Sequence, residues 1–268
     1  PWARAGVGAV ATQAAGIAAY GPQMLELLGE GLGPGAALER ALADDDGRET
    51  RQLGTAGADG RSASFTGADC LAWAGHRTGD GYAIQGNILA GEAVVVEMER
   101  AFLSDVGSLA ERLVSALEAG QAAGGDVRGQ QSAAVLVERV GAAAETRDGL
   151  DRICDLRVDD HPEPIAELRR LVGIDLVWRS LRHASAFHET GRYAEGVELL
   201  GGVLARHGED AYLLYDLACF EALAGERDAL GHLRRALELD PGLRASAAAD
   251  RDFAALAGEA AFRALIVG

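Results

Sequence analysis

The apolar residues of this chain follow two kinds of spacing, and the change between them at Pro164 constrains the fold. Before Pro164, runs of strand-like alternation are interspersed with runs of helical spacing. After it, every apolar pattern has the helical spacing. We therefore expect two domains: residues 1–173 with helices and strands, and residues 174–268 with helices alone.

Groups of helices and strands succeed one another in the first part. Residues 6–12 predict a buried strand, and Pro22 and Pro34 each stand at the expected first position of a helix. Asp59 and Gly60 separate two extended runs and predict a hairpin. The remaining predicted elements are strands over 82–87, 132–140 and 153–158, and helices over 92–103 and 105–119. This order predicts an α+β domain in which helices cover antiparallel sheet.

The helical part contains a repeat. Gly191 and Gly225 lie 34 residues apart, and each follows one predicted helix and precedes another. This period, with Pro241 after the second unit, resembles the tetratricopeptide repeat, although Gly196 stands where that repeat usually has Ala. A closing helix over the last repeat is predicted by the apolar residues Phe253, Leu256, Phe262 and Leu265.

Charge and cysteine content limit the function classes. The net charge of −16 repels nucleic acid and anionic membrane surfaces, so we expect neither as a partner. The three cysteines lie far apart, without metal-ligand spacing, and indicate reduced thiols in the cytoplasm. No apolar run approaches the roughly 20 residues of a membrane-spanning helix. We expect no metal and no cofactor.

Several short segments lie in collinear order over roughly the first two thirds of the chain. They are residues 1–13, 20–22, 75–76, 81–82, 85–89 and 155–162. Together these segments resemble domain-of-unknown-function family 1028, a group assigned to the N-terminal-nucleophile (Ntn) hydrolase superfamily. The resemblance implies an αββα sandwich, with two antiparallel sheets packed between helical layers. That architecture agrees with the order of elements predicted above.

The resemblance also implies a mechanism. Ntn hydrolases cut amide bonds with the first residue of the mature chain, a Thr, Ser or Cys whose own α-amino group is the base. Pro1 has no side-chain nucleophile. We therefore expect the first strands of the sandwich and the nucleophile to be missing, in either a fragment or a natural truncation.

Candidate site residues come first from the strand over 82–87. Gln85 and Asn87 alternate in it and share one face, where their amides can donate to a substrate carbonyl or an oxyanion. The alternative is that they bridge strands or satisfy a turn at Gly86. Asp80 lies in a Gly-rich turn and either forms an Asx turn, the favoured alternative, or holds a ligand amine or a metal.

A second group of candidates comes from residues 155–162 and from the first strand. Arg157 and Asp159 share one strand face, and the Arg either binds a substrate carboxylate or forms a salt bridge at the strand end. Thr12, Gln13 and Tyr20 are further candidates, since the resemblance implies that Thr12 and Gln13 lie beside the nucleophile's strand. A core position is the alternative for Tyr20.

Two functions follow from these patterns. The first is an Ntn-type hydrolase of a small amide or peptide-like substrate, whose nucleophile lies outside this sequence. The second is a non-catalytic scaffold that binds a protein partner through its helical repeats. We also expect a homo-oligomer.

Overall fold

The computed structural model describes residues 1–144, 149–226 and 228–267. Two compact units divide the chain: the N-terminal unit, Pro1–Val172, and the helical unit, Gly173–Gly268. The first mixes helices with small sheets, and the described residues of the second form helices and turns. No described helix is long and apolar enough to cross a bilayer.

The elements of the N-terminal unit follow one another as groups of strands and helices. In chain order they are β1 (Trp2–Arg4), β2 (Gly8–Ala14), α1 (Tyr20–Gly29), α2 (Pro34–Leu42), β3 (Arg51–Gly57), β4 (Ser62–Thr66), β5 (Trp73–Gly79), β6 (Tyr82–Leu89), α3 (Ala93–Ser104), α4 (Leu109–Ala122), β7 (Ala133–Glu138) and β8 (Arg152–Val158). A longer helix, α5 (Pro164–Glu189), contains residues of both units.

The strands form three antiparallel sheets. β1 to β4 pair in sequence order in a four-stranded sheet, while β5 pairs with β6 and β7 pairs with β8. In the four-stranded sheet Gln13 lies opposite Gln52, and Thr12 lies opposite Leu53. This register decides which side chains share a face, because neighbouring residues of a strand point to opposite sides.

Helices α1 and α2 pack on one face of the four-stranded sheet. Val10 of β2 and Leu53 of β3 point to that face and form a core with Met24 and Leu38. None of the four is more than 7% exposed. Burying each such side chain contributes roughly 1.5–3 kcal/mol, which holds the helices on the sheet.

The β5–β6 hairpin packs on the opposite face. The Nε2 of Gln52, which alternates with Leu53, donates to the carbonyl oxygens of Gly75 in β5 at 3.1 Å and of Gly86 in β6 at 2.8 Å. On the far side of the hairpin, Ile84 packs with α3 and α4, whose buried residues there include Val95. The hairpin therefore separates the sheet from α3 and α4.

The sequence predictions for this unit are partly confirmed. The predicted hairpin around Asp59 and Gly60 is the β3–β4 pair, and α2 has the predicted bounds. Helix α1 begins at Tyr20, two residues before the predicted start at Pro22. The first predicted strand, over 6–12, lies at Gly8–Ala14.

Two strands were missed because their composition hides them. β5 contains two glycines, an Arg and a His, and it is half exposed, so it lacks the apolar alternation that marks a strand. β1 is only three residues long. Both are recognisable only through the strands that pair with them.

The helical unit confirms that no strand follows Pro164 in the described part of the chain. Its helices after α5 are α6 (Tyr193–His207), α7 (Ala211–Ala224), α8 (Ala229–Leu239), α9 (Arg244–Ala249) and α10 (Ala260–Val267). The predicted closing helix is divided, since Phe253 lies in a separate 3-10 turn, Arg251–Phe253.

Glycines end two of these helices and shape one contact. Gly191 and Gly225 both have a left-handed backbone, with φ of 70° and 74°, a conformation that glycine adopts at helix ends without a Cβ clash. Gly196, in the interior of α6, lies against the ring of Phe220, which occupies the space that a Cβ would take. A larger residue at 196 would push α6 away from α7.

Candidate functional site

The candidate site of the N-terminal unit begins as a row of polar side chains across three strands. Gln13 of β2, Gln52 of β3 and Thr66 of β4 are register partners. They point away from α1 and α2, because Leu53 points toward those helices. The row therefore lies between the four-stranded sheet and the β5–β6 hairpin, where apolar side chains are usual.

Gln52 is the centre of this row and is fully buried, with 0% exposure. Its Nε2 donates to Thr66 Oγ1 at 3.0 Å, besides the carbonyl oxygens of Gly75 and Gly86. Its Oε1 accepts from Gln13 Nε2 at 2.9 Å and from Asn87 Nδ2 at 3.2 Å. Both ends of the amide are thus satisfied, which offsets the cost of burying it.

Gln85 approaches the same row from β6. Its side chain lies over Gly54, where it takes the space that a Cβ would occupy. Its main-chain oxygen accepts from Gln13 Nε2 at 3.3 Å. Gln13, Gln52, Gln85 and Asn87 are named the amide cluster below.

Two buried polar atoms beside Gly54 have no hydrogen-bond partner among the described residues. One is Oε1 of Gln85 and the other is the hydroxyl of Ser64, whose strand position is directly opposite Gly54. A buried acceptor and a buried hydroxyl without partners each cost about 1–3 kcal/mol. A ligand that supplies a donor to Gln85 would relieve the first of these costs.

The structure brings three of the predicted site residues together, namely Gln13, Gln85 and Asn87. Gln52, which connects them, was not predicted. In the sequence, Gln52 is visible only as a polar amide in a strand whose next residues are apolar. That pattern points to a site only once the strand register is known, because the register places Gln52 opposite Gln13. The strand-bridging alternative given above describes Asn87 correctly, because its amide bonds Gln52 across the layer.

Thr12 lies on the other face of the sheet. It pairs with Leu53 and faces α1 and α2, and its buried hydroxyl has no hydrogen-bond partner among the described residues. Thr12 and Gln13 are neighbours in sequence, but the alternation of the strand separates them. Only Gln13 belongs to the amide cluster.

Tyr20 belongs to a separate ionic group. Its hydroxyl donates to Asp45 Oδ2, and the same oxygen accepts from Arg51 Nε at 2.9 Å. Burial, followed by the hydrogen bond to Asp45, raises the pKa of Tyr20 to about 12. The hydrogen bonds of Arg51 and then Tyr20 hold the pKa of Asp45 well below its usual range. Tyr20 thus anchors the loop after α2.

The Asp45 group predicts acid-sensitive stability. The folded-state pKa of Asp45 lies below its unfolded value of about 3.9, so its stabilising effect is present above that value and is lost as the pH falls below it. Asp45→Asn is therefore expected to lower the melting temperature most at about pH 7 and by less at about pH 3, where the carboxyl is protonated in the unfolded chain but still ionised in the folded one. Calorimetry across this range measures the difference in melting temperature between Asp45→Asn and the unmodified chain. Asp44→Asn is the control, because Asp44 is an exposed neighbour. A melting-temperature difference for Asp45→Asn that grows as the pH falls would contradict the argument.

Asp80 is a turn residue. It lies exposed in the two-residue turn between β5 and β6, followed by Gly81 with a φ of 76°. Gly81 donates its backbone N–H to the carbonyl of Gly60 at 2.6 Å, so this turn meets the β3–β4 turn. The position fits the Asx-turn alternative and lies outside the amide cluster.

Arg157 and Asp159 also lie outside the amide cluster. Arg157 is on β8, in a different sheet from Gln85, and its exposed guanidinium donates to Asp155 Oδ1 at 3.1 Å. Asp159 follows the strand and is exposed. Among the described residues, neither side chain hydrogen-bonds Gln52, and the salt-bridge alternative describes Arg157. The two groups of candidates on β6 and β8 therefore lie in separate sheets.

Fold and site together define a mixed α/β domain with a buried layer of amide side chains between a sheet and a hairpin. The model of a family of unknown function, DUF1028, matches residues 1–168, and the chain belongs to this family. A solved structure of protein SPO2555 from Silicibacter pomeroyi, described with the same family, is similar. It is 31% identical, with a TM-score of 0.54, over 61% of this chain and 70% of that one. No curated protein matches this chain.

Proposed function

We propose that the N-terminal unit is the substrate-binding part of an Ntn-type amide hydrolase that acts on a small amide or peptide-like compound. The observation that carries the proposal is the amide cluster and, within it, the unpartnered Oε1 of Gln85. An amide substrate offers both an N–H and a carbonyl. Side-chain amides match it, because each has donors and an acceptor.

The packing order of the unit supports the αββα sandwich that goes with this mechanism. The unit has four layers: helices α1 and α2, the four-stranded sheet, the β5–β6 hairpin, and helices α3 and α4. Leu53 packs between the first two layers, Gln52 hydrogen-bonds the sheet to the hairpin, and Ile84 packs between the hairpin and α3 and α4. Gln13 and Asn87 are partly exposed and mark the accessible side of the cluster.

The nucleophile is not assigned to a residue of this chain. The mechanism needs a Thr, Ser or Cys at the mature N-terminus, with a free α-amino group as the base. The amide cluster has the roles of orienting the substrate and donating hydrogen bonds to its carbonyl as negative charge develops there. These roles are separable from bond cleavage and can be measured as binding.

A binding experiment tests the proposal. The full chain is screened by saturation-transfer NMR against N-acyl amides and dipeptides, with the corresponding esters and acids as comparison compounds. We expect amides to bind and the esters, which lack the N–H, to bind at least about 10-fold more weakly. Gln85→Leu is expected to remove this preference, because it deletes the acceptor for the substrate N–H.

The matched control is Gln131→Leu, since Gln131 is an exposed amide outside the cluster that donates to Asp160 at 3.1 Å. It should bind like the unmodified chain. Amide binding that survives in Gln85→Leu excludes the site. Independently, the full reading frame is expressed and its mature N-terminal residue is read by mass spectrometry. A residue other than Thr, Ser or Cys rules out the mechanism.

The helical unit supports the alternative, a non-catalytic protein that binds a protein partner or a second copy through tetratricopeptide-like repeats. Gly191 and Gly225 end α5 and α7 in the same left-handed conformation, as equivalent positions of a repeat would. Trp178 and Tyr212 are each 46% exposed, with ring centroids 5.5 Å apart, and exposed aromatic pairs are common at interfaces. The alternative is favoured if no compound of the panel binds, and it fails if amide binding depends on Gln85.

A further inference from the structure

A second constellation of reactive side chains lies in the helical unit, away from the amide cluster. A cavity of about 260 Å³ is lined by residues from α5, from α7 and from the segment around the 3-10 turn at Arg251–Phe253. Those that carry imidazole, thiol or carboxylate donors for a metal are His188, Glu189, Asp216, Cys219, Asp250 and Asp252.

The donor atoms converge. The Sγ of Cys219 and one carboxylate oxygen each of Asp250 and Asp252 all lie within 4.8 Å of one another. Cys219 Sγ lies 3.8 Å from Asp250 Oδ2, and His188 Nε2 lies 2.8 Å from Asp252 Oδ2. Ligand atoms of a tetrahedral zinc site are separated by about 3.4–3.6 Å, and the Cys219–Asp250 distance is close to that value. His188 is not one of the three mutually close residues. It joins them through Asp252, at the separation of a hydrogen bond that zinc would replace.

The fold holds these ligands in place before any metal binds. Asp250 Oδ1 accepts from the backbone N–H of Asp252 at 3.0 Å, and its Oδ2 accepts from the Tyr215 hydroxyl at 2.9 Å. Cys219 is buried in α7, at 5% exposure, with its thiol directed to the cavity. The imidazole of His188 packs edge-on against Phe220. Such positioning of ligands by outer contacts is typical of metal sites.

The charge of the cavity also calls for a cation. Four carboxylates, those of Glu189, Asp216, Asp250 and Asp252, line it together with His188, and no Arg is among its described lining residues. Burial, followed by the charges of Asp250 and Asp252, raises the pKa of Asp216 to about 6. Negative charge is therefore gathered here without a positive side chain to balance it.

We propose that His188, Cys219, Asp250 and Asp252 form a zinc site that joins α5, α7 and the segment before α10. The donor set selects the metal: a thiolate and an imidazole beside carboxylates suit Zn²⁺, whereas Mg²⁺ and Ca²⁺ require oxygen ligands alone. Asp216 adds a nearby negative charge. The sequence predicts no metal here because His188, Cys219 and the Asp250–Asp252 pair lie far apart along the chain, and 64 residues separate His188 from Asp252.

A second cluster of the helical unit provides a comparison. Glu221, Asp228 and His232 also bring three donor atoms within 4.8 Å. It contains no thiol, and Asp228 is exposed. Its His232–Glu221 contact is 2.8 Å, the same as the His188–Asp252 contact, so the thiol and the burial of its donors distinguish the Cys219 cluster. We therefore assign zinc to the Cys219 cluster, and the two clusters can be distinguished by substitution.

The test uses the full chain, stripped with chelator and dialysed against zinc. We expect one zinc ion per chain by mass spectrometry, and affinity at least about 10-fold weaker in His188→Gln and in Cys219→Ser. Cobalt(II) added to the stripped chain should give a thiolate-to-cobalt charge-transfer band that is absent in Cys219→Ser. The matched controls are His183→Gln, on the same helix outside the cavity, and Cys70→Ser, and both should bind as the unmodified chain does.

Three results would overturn the proposal. They are an unmodified chain that retains no zinc, a cobalt complex without the thiolate band, and zinc binding that is removed by His232→Gln but survives in His188→Gln. The thiolate band is read on the unmodified chain, so the test decides even if Cys219→Ser fails to fold. It is also independent of amide binding, because the ligand substitutions His188→Gln and Cys219→Ser both lie in the helical unit.

Discussion

Gln52→Ala is expected to lower the free energy of unfolding of the N-terminal unit by about 3–5 kcal/mol. Gln52 is fully buried, and its amide serves five partners. Without it, the carbonyl oxygens of Gly75 and Gly86 lose a hydrogen-bond donor and the amide of Asn87 loses its acceptor. The cost comes chiefly from these orphaned partners and less from the lost side chain itself.

Hydrogen exchange of the slowest backbone amides in β3 measures this effect, because such amides report the opening of the whole unit. Gln131→Ala removes an exposed amide and should change stability by no more than about 0.5 kcal/mol. Gln52→Met keeps most of the side-chain volume without any donor. If Gln52→Met were as stable as the unmodified chain, the hydrogen bonds would not be what stabilises the layer.

Phe253→Ala is expected to have a similar effect in the helical unit, a loss of about 3–5 kcal/mol. The ring is 1% exposed. It lies edge-on to Tyr215 at a centroid distance of 5.7 Å and next to Phe262 at 5.6 Å. Removing it leaves a cavity where the 3-10 turn and α10 meet α7, and both neighbouring rings lose a partner.

Hydrogen exchange of the backbone amides of α8 measures this loss of unfolding free energy. Chelator is present, so that bound metal does not contribute to the stability. Val267→Ala is the control, because Val267 is 85% exposed and its truncation leaves no cavity. Phe253→Leu should retain more stability than Phe253→Ala. Equal losses for Leu and Ala would mean that ring packing is not the source of the effect.

The two units differ in how much of their structure was predictable. In the helical unit the positions of Gly191 and Gly225 mark helix ends, since glycine alone adopts a left-handed backbone without strain. In the N-terminal unit α2 was predictable from Pro34 and its apolar spacing, whereas β5 was not, because its residues are polar and glycine-rich. Local signals suffice where the chain itself specifies the conformation.

The candidate sites depend on contacts that no local signal contains. Gln13 and Gln52 are 39 residues apart and become neighbours only through the register of β2 and β3. Thr12, next in sequence to Gln13, is turned to the opposite face. Arg157, another candidate on a strand, lies in a different sheet from Gln85.

The sequence by itself determined the division at Pro164, most helices, the β3–β4 hairpin and the resemblance that led to the family, because these depend on spacing, on glycine and proline, and on short motifs. Only the tertiary structure decided which polar groups meet: the amides around Gln52, and the thiol, imidazole and carboxylates around Cys219. The physical reason is that hydrogen bonding and metal coordination act over a few ångströms. Side chains far apart in sequence reach that separation only after strands have paired and helices have packed.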